Sequence, residues 1–218
     1  MAGRFLASRF KGGKVAIVHD RTTYGRGLAD ETRRHMSAAG LKEVLYEGYV
    51  AGDKDYSALV AKLKAIAVDV VYIGGYHTEA ALIVRRMRNQ GLQAPVVAGD
   101  TLVTLEYWQL TGKAGEGTLF TFSPDPRRSP AAADVARRFR DSKIEPEGYV
   151  LYAYAAIETW ARAATAAGSE DAKAVTARLQ ADEFSTVLGA FRFDRKGDPS
   201  LPPYKLYQWK DGKYEQID

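Results

Sequence analysis

Apolar positions along this chain follow two periods. Short continuous apolar runs, rich in β-branched residues, occupy 14–20 (KVAIVHD), 43–50 (EVLYEGYV), 68–74 (VDVVYIG), 95–99 (PVVAG) and 117–122 (GTLFTF). Runs of this length bounded by turn residues read as buried strands. Between them the spacing lengthens: Leu59, Val60, Leu63 and Ile66, then Ala80, Ile83, Val84 and Met87, recur as helical stripes. Another helix is expected to end near 39, closed by Gly40, after a loop containing Tyr24-Gly25-Arg26-Gly27. A short helix is expected at 104–111, and 1–13 reads as a helix with Phe5, Leu6 and Phe10 on one side. Strands alternating with helical patterns of roughly 10–15 residues predict an α/β fold with a doubly wound parallel sheet.

The pattern changes at 123–130 (SPDPRRSP), where three prolines in eight residues mark a hinge or crossover rather than an element interior. Beyond it, helices are expected at 130–142, 149–167 and 171–182, and strands at 187–194 and 203–217, the latter turning at Asp211-Gly212. These helices carry apolar faces that include Val135, Phe139, Tyr152, Ile157, Trp160, Val175 and Leu179. No parallel-strand pattern lies between 123 and 186 to cover them, so a sheet from elsewhere is expected.

Composition narrows the chemistry. With 46% apolar and 27% charged residues, the 218-residue chain has an ordinary soluble composition that can bury a sizeable core. The net charge of +4 is small, and the basic residues at 85–90 and 136–141 lie on helical segments without the interleaved aromatics of a nucleic-acid face. The chain has no cysteine, which excludes disulfides, thiolate nucleophiles and cysteine–metal sites within it. No run approaches the ~18–20 apolar residues of a membrane span, and residues 1–14 lack the apolar core of a signal peptide.

In doubly wound sheets, ligands bind off the carboxyl ends of the strands. Asp20, Tyr24, Tyr76, His77, Asp100 and Thr101 follow such ends and are expected to line one rim. The three histidines, His19, His35 and His77, have no metal-ligand spacing. Asp20 ends a strand as a phosphoacceptor would, but the acidic pair and later lysine of a receiver are not evident. Tyr24-Gly25-Arg26-Gly27 is too short for a phosphate-cradling loop. The rim reads as a place that holds a small zwitterion, with no catalytic residues and no cofactor.

At least six segments, in order and spacing, resemble the branched-chain amino acid binding proteins, the periplasmic solute receptors of ABC importers. They are KVAIVHDRTTYGRGLAD (14–30), AGDKDYSALVAKLK (51–64), VDVVYIGGYHTEAALIVRRMRNQGL (68–92), the Gly99-Asp100 turn with AGEGTLFTF (114–122), EPEGYVLYAYAAIETWARA (145–163) and FDRKGD (193–198). The resemblance implies a type I binding-protein fold of two lobes. Residues 1–122 with 204–218 would be the second lobe, and 123–203 the elements that cross to the first. The first lobe's sheet, the signal peptide and the family's disulfide would lie in a preceding third.

It further implies a periplasmic location, an ABC permease as partner, and capture of a small aliphatic amino acid without chemistry. Asp100 would grip the ligand ammonium, although the family often has the longer Glu there. Tyr76 would contact the ammonium and main chain, with Thr101 beside it; Tyr24 would close over the ligand, and Tyr149 would line the side-chain pocket. The donors for the ligand carboxylate would belong to the first lobe. Two other readings stand beside this one. One is a flavodoxin-like or receiver-like domain using Asp20 and Asp100 for metal-assisted phosphoryl transfer; the other is a ligand-sensing domain of the same fold. Without the first lobe's sheet, self-association through 123–203 is expected.

Overall fold

The structure, a computed structural model, describes residues 1–217. In chain order its elements are α1 (Ala2–Arg9), β1 (Val15–His19), α2 (Thr23–Ala38), β2 (Glu43–Gly48), α3 (Ser57–Ile66), β3 (Val70–Gly74), α4 (His77–Asn89), β4 (Val96–Ala98), α5 (Leu105–Thr111) and β5 (Leu119–Phe122). There follow α6 (Ala133–Asp141), α7 (Val150–Ala167), α8 (Ala172–Ala181), β6 (Phe184–Thr186), β7 (Gly189–Phe191), β8 (Lys205–Lys210) and β9 (Lys213–Gln216). They form two compact units, one of Met1–Ser123 with the residues from Tyr204 onward, the other of Pro124–Pro203.

The first unit is built on a seven-stranded sheet in the order β2-β1-β3-β4-β5-β8-β9. The strands from β2 to β5 are parallel, and β8 and β9 add antiparallel. Every residue of β1 and β3 is buried, because helices cover both faces of a parallel sheet. That double burial is why these strands read as unbroken apolar runs. Leu6, Ile17, Met36, Tyr72 and Val97 form one core cluster; Val60, Leu63, Ile83, Val84 and Met87 are also fully buried. At the far edge Asp211 and Gly212 take φ of 47° and 80°, and the β8–β9 hairpin they close buries Trp209, whose indole N–H donates to the Leu102 carbonyl at 2.9 Å.

The register sets the rim. His19 lies level with Gly48 on one side and Gly74 on the other, so β2, β1 and β3 end together. The ladder runs one step further: the Asp20 amide donates to the Gly74 carbonyl (3.0 Å) and the Tyr49 amide to the His19 carbonyl (2.8 Å). Here the structure corrects one expectation. Tyr24 and Gly25 belong to the first turn of α2, not to a loop, because Thr22 caps the helix by accepting the Gly25 amide at 3.0 Å. That turn lies directly on the end of β3: a side chain at residue 25 would meet the Gly74 carbonyl oxygen at 2.5 Å and collide with the Asp20 carboxylate.

In the second unit the segment 187–194 is not one strand. Val187 and Leu188 form the turn of the β6–β7 hairpin, and Gly189 with φ of 89° accommodates it. The hairpin also corrects the expected run of bare apolar faces. Val175 of α8 packs with Ala163, Phe184 and Phe191, while Val135 and Phe139 of α6 pack around Leu151 and Val187. On α7, Ile157 and Trp160 remain 69% and 47% exposed.

Gly25→Ala should destabilise the fold by about 1–3 kcal/mol, because overpacking against backbone forces the helix off the strand. Gly27→Ala, in the same helix with nothing near its added methyl, should stabilise by roughly 0.5–1 kcal/mol. Urea unfolding of the two variants gives the comparison; equal effects would mean that α2 does not contact β3 through Gly25.

Candidate functional site

Four strand ends supply the rim of the first unit. From the start of α2 the Tyr24 hydroxyl donates to Asp100 Oδ1 at 2.6 Å, spanning from the end of β1 to the end of β4. Tyr24 and Tyr76 lie with ring centroids 5.1 Å apart at 36°. The Thr101 hydroxyl donates to the Gly75 carbonyl at 2.9 Å, tying the turn after β4 to the turn after β3. Asp100 opens a short 3-10 turn (Asp100–Val103) whose cap, Gly99, offers no side-chain bond. The Asp100 carboxylate faces Tyr24 through its Oδ1.

Burial, and secondly the bond to Asp100, push the Tyr24 phenol far above its usual range, so it remains a neutral donor that orients the carboxylate. Tyr76 is 47% exposed and Asp100 is half-buried, so an anion and an aromatic face stand together at an open edge. This combination favours a cation, through charge pairing and through the π face. Tyr204, just before β8, feels the Asp100 charge, which adds to burial in raising its own pKa. No motif marks it in the sequence, where it falls inside the strand expected at 203–217.

The remaining expected residues take other roles. Tyr149 belongs to the second unit, where it precedes α7 and is 45% exposed. His77 Nε2 lies 3.0 Å from Glu106 Oε2, a contact between the starts of α4 and α5. Asp20 is only 3% exposed, and its Oδ1 accepts both the amide (2.9 Å) and the hydroxyl (2.6 Å) of Thr22. A side chain so enclosed is out of reach of a phosphodonor, which removes the main support for a phosphoryl-transfer reading. Tyr49, which sequence reasoning missed, is 5% exposed and also sits at this rim. Its signal was the level end of the second apolar run, legible only once the register is known.

The wound, mostly parallel sheet has the fold of the type I periplasmic binding protein class. A family profile described as periplasmic binding protein matches residues 1–213, and the chain belongs to that family. It is 51% identical over 221 aligned residues to Leu/Ile/Val-binding protein homolog 1 of Brucella melitensis, covering 100% of this chain and 60% of the relative. The chain thus spans about 60% of the length of that relative. Among solved structures, a leucine-binding protein, LivK, of Thermotoga maritima superposes with a TM-score of 0.88 at 24% identity, covering 100% of this chain and 64% of the other. LivJ of Streptococcus pneumoniae, solved in complex with isoleucine, gives 0.84 at 24% identity, covering 99% of this chain and 63% of the other. The family points to an extracytoplasmic location. Among the described residues no helix is long and apolar enough to cross a membrane.

The phenols of Tyr24, Tyr49, Tyr72 and Tyr107 are all pushed up, chiefly by burial. The unfolded chain therefore releases these protons first, near pH ~10. Their contribution to stability is present below that pH and is lost as the pH rises above it. Absorbance at 295 nm should show the exposed tyrosines ionising near pH ~10, with these four following only as the fold gives way. Ionisation of every tyrosine near pH ~10 with the fold intact would contradict their burial.

Proposed function

We propose that this chain forms the ammonium-gripping part of a two-lobed receptor that captures a small aliphatic, branched-chain amino acid by cleft closure and delivers it to an ABC permease. The observation that carries this reading is the Tyr24–Asp100 hydrogen bond of 2.6 Å, which holds a carboxylate at an open rim beside Tyr76. In this reading Asp100 pairs with the ligand ammonium, Tyr76 covers it, Tyr24 orients the acid, and Thr101 holds the Gly75 turn that carries Tyr76. Tyr149 lines the side-chain pocket, and the ligand carboxylate is met by the first lobe. Residues 1–122 with 204–218 act as the second lobe, and 123–203 as elements of the crossing. The relatives' names, which include Leu, Ile and Val, support the choice of ligand.

The test uses a receptor carrying this chain at its relatives' full length. Leucine should bind, measured by calorimetry, while isovalerate and isoamylamine should not, because each leaves buried polar groups of the site unpaired. Asp100→Ala should weaken leucine binding at least tenfold, since a hydrogen bond to a charged group contributes about 1.5–3 kcal/mol. Unchanged affinity in that variant, or competition by isovalerate, would overturn the ammonium site.

The 218-residue chain by itself is expected to self-associate through α7, where Ile157 and Trp160 are exposed. Sedimentation velocity should show association that Trp160→Asp reduces. A monodisperse monomer would count against it.

A further inference from the structure

We propose that Asp20 is a positioning residue for the amino-acid site, and that together with Tyr49 it encloses one buried water beneath the Gly74-Gly75 turn, so that a single carboxylate holds both tyrosine-bearing segments. The inference rests on the receptor reading above for its ligand, and on the geometry of the rim for everything else.

Both oxygens of the carboxylate have a defined neighbourhood. Oδ1 accepts the amide and hydroxyl of Thr22, and the Thr22 oxygen accepts the Gly25 amide. This relay sets the first turn of α2 and with it Tyr24. Oδ2 is buried and has no hydrogen-bond partner among the described residues, and the same is true of the Tyr49 hydroxyl. Such atoms are seldom left unsatisfied in a native interior. The two orphans adjoin the same position beside Gly75: a Cβ built there would stand 3.2 Å from Asp20 Oδ2 and would collide with the Tyr49 hydroxyl. Each therefore borders Gly75, one from the end of β1 and one from the end of β2.

A single water satisfies both, donating one proton to Oδ2 and accepting the phenol proton of Tyr49. Buried waters take such places, where a few polar groups converge in a small space. Burial, and next the Asp20 charge, push the Tyr49 phenol up and keep it a donor. The consequence reaches the ligand rim through Gly75, whose carbonyl accepts the Thr101 hydroxyl and which directly precedes Tyr76. The Gly75 peptide thus packs against Asp20 and Tyr49 and is held by the Thr101 hydroxyl. Tyr24 and Tyr76, 5.1 Å apart, both take their position from Asp20.

The test combines a mutant cycle with an atomic-resolution crystal structure of the full-length receptor. Asp20→Asn retains the acceptor for Thr22 but turns an amide toward the water; it should weaken leucine about tenfold in a protein that still unfolds cooperatively. Tyr49→Phe should weaken it a fewfold. The double variant should lose no more than Asp20→Asn alone, because both act through one water. The crystal structure should show that water between Oδ2 and the phenol, and Tyr49→Phe should lack it. Wild-type affinity in folded Asp20→Asn, additive losses in the double variant, or an empty space between the two oxygens would overturn the inference. If Asp20→Asn does not fold, Tyr49→Phe carries the test, and wild-type affinity there has the same meaning. A wild type that binds leucine beside variants that bind it equally sinks this inference alone; a wild type that binds no amino acid sinks the receptor reading and the positioning role with it.

Discussion

The contact between Gly25 and Gly74 is the constraint on which the rim of the first unit depends. The first turn of α2 rests on the last residue of β3 with no side chain between them. That approach is closer than any residue with a Cβ allows. It places Tyr24 over the ends of β3 and β4, where its hydroxyl meets Asp100 and its ring meets Tyr76. A helix standing off by the thickness of one methyl group would carry the phenol away from the acid. The parallel register does the rest, because β2, β1 and β3 end level and deliver Tyr49, Asp20 and Gly75 side by side.

The two aspartates of the rim show how position divides similar chemistry into different roles. Asp20 is enclosed, and one of its oxygens is committed to Thr22. Asp100 is half-buried and held by a phenol. A charge that stays partly solvated can exchange water for a ligand cation at modest cost, whereas one sealed in the interior cannot. The same contrast separates Tyr49, whose hydroxyl is sealed beneath Gly75, from Tyr76, which is nearly half exposed.

The second unit solves a different problem, that of covering three helices with little sheet. The β6–β7 hairpin brings Phe184 and Phe191 onto Val175 and Ala163, and Val187 onto Leu151 and Ala155. These small clusters bury parts of α6, α7 and α8 but leave Ile157 and Trp160 in solvent.

Strand and helix content was legible in the chain because burial on both faces writes an unbroken apolar run, and burial on one face writes a helical stripe. The runs at 14–20, 68–74 and 95–99, and the turn at Asp211-Gly212, are local statements of that kind. The chain also put Asp20, Tyr76 and Asp100 at strand ends, since position after an apolar run is itself local. Tertiary structure alone decided what each does there. Tyr24 lies in a helix rather than a loop because Thr22, itself bonded to Asp20, caps the Gly25 amide. Nor does any pattern set Tyr49 beside Asp20, because they are 29 positions apart in sequence and meet only through strand register. Likewise the hairpin turn at Val187-Leu188 interrupts what reads as one strand, since those apolar side chains are needed against α6 and α7. Hydrophobic period records which residues leave water; which polar groups then face one another depends on the order and level of the strands, which no single segment contains.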